Sequence, residues 1–187
     1  MDNGTTELTD EQLALAVQRG DAESFGRLVE RYQAKMLRYA YKFLLAGNSE
    51  DAVQEVFIKT YQNINSFDAT QRFSPWIYRI AHNEFINHLK KSGREHLSFF
   101  DPDTFFPHPV AKETAEGETE RNQAKQIVEA SLEKLDSKYR EVLVLYYLEE
   151  LSYKEISDVL KIPVATVGVR IKRAKEALKA VVKEKGI

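Results

Sequence analysis

Basic side chains are concentrated near the carboxyl end of the chain, where they could bind a polyanion. Residues 151–187 hold nine Lys and Arg against four Asp and Glu, a net charge of +5, although the whole chain carries −2. Arg170, Lys172 and Arg173 fall on the outer faces of a predicted helix whose inner face is apolar. Lys and Arg side chains placed in this way can contact the phosphates and base edges of DNA.

Two short amphipathic helices are predicted to position these basic side chains. Ser152 and Glu155 have the spacing of a capping box, which predicts the start of the first helix. Pro163 lacks an N–H and cannot extend that helix, but it suits the first turn of a second one. The inner faces are expected to hold Ile156, Val159 and Leu160, then Val164, Val167, Ile171, Ala174 and Leu178. The pattern predicts a helix-turn-helix, with a helical hairpin whose basic face is merely solvated as the alternative.

A second basic block lies in the first half of the chain. Residues 72–94 hold five Lys and Arg against one acidic residue, a net charge of +4. Turn-forming residues at 65–72 predict a loop, which is followed by a helix predicted over 74–91. Between the two blocks, residues 97–120 carry a net charge of −5. This alternation predicts two nucleic-acid contacts separated by an extended acidic linker.

The composition argues against catalysis and against metal binding. The chain has no cysteine, so it can form neither a disulfide nor a thiolate metal site. The spacing of His82, His88 and His96 does not keep three imidazoles on one helix face. We find no nucleophile–base pair and no phosphate-binding loop, so we expect a protein that is not an enzyme, with no cofactor and no metal. The N-terminus is acidic and polar, and no run of about 18 apolar residues occurs, which predicts a cytoplasmic protein with no membrane insertion.

Helical periodicity extends through the rest of the chain. Thr9 and Gln12 predict a capping box, and a long helix is predicted over about 22–45. The next helix is predicted to begin at Ser49 and to bury Val53, Val56, Phe57, Thr60, Tyr61 and Ile64. Helical patterns resume at about residue 118. The sequence therefore predicts an all-α protein with two small helical domains, 1–95 and 118–187, joined by the linker at 96–117.

These segments, in this order, resemble a known family. The runs DAVQEVFIKTYQNINSF, RFSPWIYRIAHN and LDSKYREVLVLYYLEELSYKEISDVLKIPVATVGVRIKRAKEAL are similar to bacterial sigma factors of the extracytoplasmic-function group, the small sigma-70-like members. The resemblance covers nearly all of both predicted domains. It implies a sigma factor that binds core RNA polymerase, recognises the −10 and −35 promoter elements and promotes DNA opening.

The resemblance also implies where the polymerase binds. In the family, a helix with the pattern D-x-x-Q-E docks on the β′ coiled coil, and the C-terminal domain meets the β flap. Acceptor groups beside an apolar stripe suit a basic partner helix with apolar positions. The matching residues here are Asp51, Gln54, Glu55 and Phe57. An anti-sigma factor is a further partner that the resemblance implies.

The loop at 65–72 and the helix after it match the family segment that captures a base from the opened −10 element. An unstacked base needs aromatic surface, polar groups for its edge and cations for the backbone. Phe67, Phe73, Trp76 and Tyr78 could provide the aromatic surface, although aromatic residues at helical spacing more often fill a core. The predicted −10 contacts are Asn65, Asp68, Gln71, Arg72, Trp76, Arg79, Asn83, Lys90 and Lys91.

The C-terminal helix-turn-helix matches the family domain that reads the −35 element. The predicted contacts are Arg140, Lys154, Thr166, Gly168, Val169, Arg170, Lys172 and Arg173. Gly168 and Val169 depart from the family, which has a basic residue and a small polar residue there. The −35 preference is therefore expected to differ, although valine can still contact a thymine methyl. A stand-alone helix-turn-helix regulator that binds a palindromic duplex is the competing interpretation.

Overall fold

The computed structural model describes residues 7–44, 49–91 and 132–184, and statements about structure refer to these ranges. They form an N-terminal group of helices (7–91) and a C-terminal group (132–184), and within them every regular element is helical. The predicted linker and the helix predicted from residue 118 up to residue 131 lie outside the described residues. The predicted all-α class with two helical regions is confirmed.

The N-terminal group contains α1 (Asp10–Gln18), α2 (Ala22–Leu44), α3 (Ser49–Asn63) and α4 (Phe73–Lys91), with a 3-10 turn, Ile64–Ser66, after α3. The predicted capping box opens α1. Gln12 N donates to Thr9 Oγ1 at 3.3 Å, and Thr9 N donates to Gln12 Oε1 at 2.9 Å. The chain leaves α1 through Gly20, whose φ of +100° favours glycine because a side chain is strained there.

The long helix α2 is the centre of the N-terminal core. Its inward residues recur at spacings of three and four, so they form one apolar stripe against the other three helices. The α2 stripe contains Leu28, Tyr32, Met36, Tyr39, Ala40 and Phe43. It packs against residues that include Leu13, Val53, Val56, Ile77, Ala81 and Phe85.

The buried stripe of α3 is narrower than predicted. Val53, Val56, Thr60 and Ile64 are buried as expected, but the prediction for Tyr61 is wrong because this residue is 50% exposed. Tyr61 follows Thr60 directly, and one step along a helix turns the side chain by about 100°. The Tyr61 ring lies at the surface, edge-on to Phe25 at a centroid distance of 5.0 Å.

The C-terminal group contains α5 (Ser137–Leu143), α6 (Tyr153–Leu160) and α7 (Val164–Glu184), with a 3-10 turn, Leu132–Lys134, and a π-helical segment, Val144–Leu148. The capping box of α6 forms as predicted. Ser152 N donates to Glu155 Oε2 at 2.8 Å, and Glu155 N donates to Ser152 Oγ at 3.3 Å. Lys161 ends α6 in the left-handed conformation, and Pro163 directly precedes α7.

Helices α6 and α7 form the predicted helix-turn-helix. Ser157 Oγ donates to the carbonyl of Ile162 at 2.6 Å, which ties α6 to the turn. The buried residues of the pair include Ile156, Val159, Val167, Ile171, Ala174 and Leu178. The prediction that Val164 faces inward is wrong: as the first residue of α7 it precedes the first buried turn and is 39% exposed.

The two groups of helices pack against each other. Helix α4 lies against α6, and α2 lies against α5. The buried residues of both groups form one continuous hydrophobic cluster. Nothing in the sequence predicted this contact, because periodicity shows which face of a helix is apolar but not which distant helix covers it.

Candidate nucleic-acid interface

The loop before α4 is held in place by side chains from α1. Gln18 Nε2 donates to the carbonyls of Ile64 at 2.7 Å and of Phe67 at 2.8 Å. Within the loop, Asp68 Oδ1 accepts from the backbone N–H of Thr70 at 3.0 Å and from its hydroxyl at 2.8 Å. These hydrogen bonds lower the pKa of Asp68. The loop is therefore preorganised, with an ionised carboxylate at its surface.

The aromatic residues of this segment form a cluster at the base of the loop. The ring of Phe67 lies 5.3 Å from that of Phe73 and 5.2 Å from that of Trp76. Phe73 and Tyr78 are fully buried, so the prediction that they offer surface for an unstacked base is wrong in this conformation. They fill the core beneath α2 instead. Trp76 is half-buried, so part of the residue remains accessible.

Helix α4 presents a polar, positively charged ridge. Arg79 and Asn83 are one turn apart, and Lys90 follows Asn83 by two turns, so the three lie along one face. Asn83, Lys90 and the adjacent Lys91 are exposed, and Arg79 is half-buried. An amide flanked by cations is suited to reading a base edge while the cations contact phosphates. Asn65, at the start of the loop, is also exposed.

A cleft of about 530 Å³ separates the loop and α4 from the C-terminal group. Its N-terminal wall includes five predicted −10 contacts, namely Asp68, Gln71, Arg72, Trp76 and Arg79. Its other wall comes from α6 and includes Lys154, a predicted −35 contact, with Glu155 and Asp158. An ion pair between Arg72 and Glu155 crosses the cleft. Predicted contacts for the two promoter elements therefore face one another.

The predicted −35 contacts on α7 are covered to different extents. Thr166 is only 4% exposed and Arg170 only 9%. Gly168 is also buried, Val169 and Arg173 are half-buried, and Lys172 is exposed. The prediction that Thr166, Gly168 and Arg170 present themselves to DNA is therefore not met in this arrangement, in which the first turns of α7 are covered.

Arg140 has a structural role in place of its predicted DNA contact. Its guanidinium is buried and donates to the carbonyls of Leu132 at 3.0 Å and Leu135 at 2.8 Å. A third bond, at 3.3 Å, reaches the carbonyl of Lys42 at the end of α2. Burying a charged group is costly unless its donors are hydrogen-bonded, and these three carbonyls accept one bond from each guanidinium nitrogen. Arg140 thus fixes the start of the C-terminal group and touches the N-terminal group.

The outer face of α3 carries the predicted polymerase-binding residues. Asp51, Gln54 and Glu55 are exposed, and Phe57 packs partly against the core. Beside them lies Ile58, which is exposed, as is Tyr61. Sequence analysis missed Ile58 and assigned Tyr61 to the core. The sequence contained a usable signal, because positions 51, 54, 55, 58 and 61 lie three or four residues apart, as the residues of the buried stripe do. Such spacing predicts that they share one face of α3.

Two buried carboxylates join the two groups of helices, and neither was predicted. The Glu149 side chain is only 2% exposed. Its Oε1 accepts from Arg38 Nη2 at 2.7 Å and Nε at 3.0 Å, and its Oε2 accepts from the hydroxyl of Tyr78. Glu141 Oε1 lies 2.7 Å from the Tyr39 hydroxyl and 2.6 Å from His82 Nδ1.

The chemistry of these pairs is set by burial. Burial, together with the neighbouring carboxylates, raises the pKa of Tyr39 and of Tyr78 well above the ordinary value, so both hydroxyls remain protonated donors. Burial alone would lower the pKa of His82, but the charge of Glu141 and the hydrogen bond to it raise the pKa above 6.5. Arg170 opposes this effect, which places its charge close to His82. Helices α2 and α4 thus supply donors for both acidic side chains.

Comparison with known proteins identifies both groups of helices. The family described as Sigma-70 region 2 matches residues 28–95, and Sigma-70, region 4 matches residues 125–178. The ECF RNA polymerase sigma factor SigW of Bacillus subtilis (strain 168) is 37% identical over 177 residues, a match that covers 87% of this chain and 91% of SigW.

Solved structures share the fold. CnrH, in complex with the cytosolic domain of CnrY, has a TM-score of 0.66 at 25% identity, covering 94% of this chain and 97% of CnrH. The sigma factor RpoE of Bartonella quintana, in complex with the anti-sigma factor NepR, has a TM-score of 0.61 at 22% identity, covering 87% and 98%. Among the described residues, no helix is both long and apolar enough to cross a membrane. The chain belongs to the ECF sigma factors, the sigma-70 proteins that give RNA polymerase its promoter specificity in transcription initiation.

Proposed function

We propose that three parts of the chain divide the work of initiation. Residues 1–95 bind core RNA polymerase and open the −10 element, residues 118–187 read the −35 element as duplex, and residues 96–117 link them. The observation that carries this proposal is the ridge on α4, where exposed Asn83 lies between Arg79 and Lys90 beside a preorganised loop. The matches to sigma-70 regions 2 and 4 support the same division.

Polymerase binding is assigned to the outer face of α3. Asp51, Gln54 and Glu55 offer acceptors, while exposed Ile58 and Tyr61 add apolar surface that the family pattern does not name. Such a mixture suits a basic partner helix with apolar positions, as the β′ coiled coil would provide. The β flap is the second polymerase contact, through the C-terminal group.

Recognition of the −10 element is assigned to the loop and α4. The accessible part of Trp76 can receive an unstacked base, and the Asn83 amide can form hydrogen bonds with the edge of that base. Arg72, Arg79, Lys90 and Lys91 can neutralise backbone phosphates. Asn65, Asp68 and Gln71 lie at the loop surface, where their polar groups can reach the displaced strand.

Recognition of the −35 element is assigned to α7 with Lys154 of α6. Lys172 is exposed and Arg173 is half-buried, and Thr166, Gly168, Val169 and Arg170 precede them on the same helix. Thr166, Gly168 and Arg170 are buried here, where α7 packs against α5 and α6, so their contact with DNA requires a rearrangement around α7. Arg140 is not included, because its guanidinium is satisfied by carbonyls.

Partners and location follow from the same function. Promoter DNA and core polymerase place the protein in the cytoplasm. The complex of the Bartonella quintana sigma factor with NepR supports an anti-sigma factor as a further partner. Nucleotide addition would belong to the core polymerase, so we propose that this chain is not itself an enzyme.

Transcription with core polymerase on a pool of random promoters tests this function. The expected outcome is enrichment of templates that share two spaced elements. Gel shifts on an enriched promoter, with and without core enzyme, exclude the competing interpretation. A sigma factor binds weakly alone and strongly with core, whereas a stand-alone helix-turn-helix regulator would bind a palindromic duplex tightly by itself.

A further inference from the structure

Helix α1 holds the start of the loop to which recognition of the −10 element is assigned. We call this loop, residues 65–72, the −10 loop. The side-chain nitrogen of Gln18 donates to the carbonyl of Ile64 at 2.7 Å and to that of Phe67 at 2.8 Å, which uses both of its hydrogens. These carbonyls lie at the 3-10 turn after α3, and carbonyls at a helix end accept from groups outside the helix. Gln18 therefore fixes the path by which the chain leaves α3.

The same helix also holds the point where the chain enters α4. Glu11 Oε1 accepts from the backbone N–H of Phe73, the first residue of α4, at 3.0 Å. The first N–H groups of a helix have no intrahelical acceptor, and a carboxylate there interacts favourably with the helix dipole. Glu11 and Gln18 lie about two turns apart on one face of α1. This one face of α1 thus holds both ends of the −10 loop.

Helix α1 is itself attached firmly to α2. The two carboxylate oxygens of Asp10 accept from Arg31 Nη1 at 2.7 Å and from the Tyr32 hydroxyl at 2.6 Å. Leu13 and Ala14 of α1 are fully buried in the N-terminal core. Because its position is fixed by both polar and apolar contacts, α1 gives the −10 loop a rigid support.

Between its two held ends, the −10 loop presents predicted base contacts. Asp68, Gln71 and Arg72 are all exposed. The turn that carries them is closed by a hydrogen bond from the Gln71 N–H to the Asp68 carbonyl, at 2.9 Å. A turn with fixed ends holds its side chains in one arrangement, whereas a looser turn can adapt to several bases. The hydrogen bonds at the loop ends therefore bear on which base the loop accepts.

We propose that Gln18 and Glu11 are positioning residues for recognition of the −10 element, and that they restrict the choice of the unstacked base that the −10 loop accepts. This proposal rests on the −10 function proposed above. Neither residue contacts the base, since each acts through the backbone at one end of the loop. Both lie outside the segment that matches Sigma-70 region 2, which begins at residue 28. The −10 site thus extends to α1.

Selection on promoters with a randomised −10 element measures this effect. Gln18→Met keeps the length of the side chain and removes both donors. In holoenzyme with core polymerase, we expect the preference for the favoured base over the next best to fall about tenfold, because two hydrogen bonds are lost. Core affinity and binding to a −35 duplex should not change, since α1 belongs to neither proposed surface. A folded Gln18→Met protein with the base preference of the parent would overturn the proposal.

The matched control lowers stability without changing the −10 loop or α1. Ala40 is fully buried in α2, and Ala40→Gly should destabilise the protein because glycine disfavours a helix interior. Its base preference should equal that of the parent, even where its midpoint in urea is as low as that of Gln18→Met. An equal loss of preference in Ala40→Gly would show that overall stability sets the preference, and would overturn the positioning role.

Glu11 offers a pair of variants that differ only in the acceptor. Glu11→Gln keeps a side-chain oxygen that can accept from the Phe73 N–H, whereas Glu11→Ala removes it. We expect Glu11→Gln to retain the base preference of the parent and Glu11→Ala to lose it several-fold. If Gln18→Met loses its helicity by circular dichroism, this pair decides alone. Equal preference in the two Glu11 variants would contradict the proposal.

The position of the loop can also be observed without polymerase. Trp76 is the single tryptophan of the chain, and its ring lies 5.2 Å from that of Phe67, whose carbonyl accepts from Gln18. Quenching of Trp76 fluorescence by acrylamide should increase in Gln18→Met and stay at the parent value in Ala40→Gly. Unchanged quenching in Gln18→Met would overturn the positioning role. A parent holoenzyme with no base preference at the −10 element, together with the expected change in quenching, would instead overturn the proposed −10 function.

Discussion

The N-terminal and C-terminal groups present their functional residues in opposite ways. On the N-terminal group, Asn83, Lys90 and the polymerase-facing residues of α3 are exposed, and the −10 loop is fixed by Gln18. On the C-terminal group, Thr166 and Arg170 are buried. The predicted −10 residues are thus largely at the surface, whereas part of the predicted −35 set is buried where α7 packs against α5 and α6. Five predictions test this contrast.

The largest effect is expected on the preformed polymerase face. Gln54→Arg with Glu55→Arg places two cations opposite a basic partner helix, and like charges at an interface cost several kcal/mol. We expect core affinity to fall about 100-fold, measured by fluorescence anisotropy of the labelled sigma factor. Glu30→Arg, at an exposed site on α2, is the control for a reversed charge. Unchanged affinity of the double variant would remove α3 from the interface.

The −10 ridge should show the next largest effect. Asn83→Ala removes a base-reading amide without altering the core, because the side chain is exposed. Loss of a bidentate base contact costs about 1–3 kcal/mol, so open-complex yield should fall about tenfold, as measured by permanganate footprinting. Core affinity should not change. A normal yield of open complex would refute the assignment of Asn83.

A smaller effect is expected on α7. Arg173→Ala should weaken binding of the holoenzyme to a −35 duplex by several-fold at low salt. Because a lost phosphate contact also reduces the salt dependence by about one unit of slope, the difference from the parent should shrink as salt rises. Filter binding across a salt series measures both quantities. A slope identical to that of the parent would show that Arg173 contacts no phosphate.

The pairing of His82 with Glu141 should make the stability of the protein depend on pH. Glu141 raises the pKa of His82 above 6.5 in the folded protein, against the opposing charge of Arg170, while Tyr39 donates to the same carboxylate. This stabilisation is fully present below about pH 6.5 and is lost as the pH rises through the folded-state pKa. The free energy of unfolding in urea titrations should therefore fall modestly as the pH rises above about 6.5. His82→Gln should flatten the profile, and a parent protein that gains stability over that variant as the pH rises would contradict the pairing.

The smallest effect concerns two glycines of the N-terminal group. Gly26 lies inside α2, and an added Cβ would meet no atom within 4 Å. Gly26→Ala should therefore raise the free energy of unfolding by about 0.5–1 kcal/mol in urea titrations, with no change in promoter opening. Gly20→Ala is the control and should destabilise, because φ is +100° there. Stabilisation by both changes would show that the helix boundary at Gly20 is misplaced.

Local patterns in the sequence were sufficient for much of the fold. The capping boxes at Thr9 and Ser152 formed as predicted because they depend on residues three positions apart. The helix-turn-helix was predictable because Pro163 and the apolar spacing act over a few turns. Tyr61 was misassigned because periodicity gives the direction of a helix face but not its width, and Val164 because it precedes the first buried turn of α7.

The candidate site was predictable to a lesser degree. Exposure of Asn83 and of the acidic residues on α3 agrees with the sequence interpretation, since each lies opposite a buried stripe. The burial of Arg140 was not predictable, because its partners are backbone carbonyls whose positions depend on the fold. The sequence likewise contained no signal that distinguishes Glu149, a carboxylate among many, from the acids on the surface.

The sequence by itself determined the helices, the helix-turn-helix and the family, because all three are encoded in spacings of a few residues or in motifs in series. Only the tertiary structure decided that Glu141 and Glu149 meet Arg38, Tyr39, Tyr78 and His82, residues about 60 to 110 positions away along the chain. The physical reason is that contact between distant helices depends on complementary shape and charge across the whole folded chain. The tertiary structure also decides whether Thr166 and Arg170 face DNA or the rest of the protein.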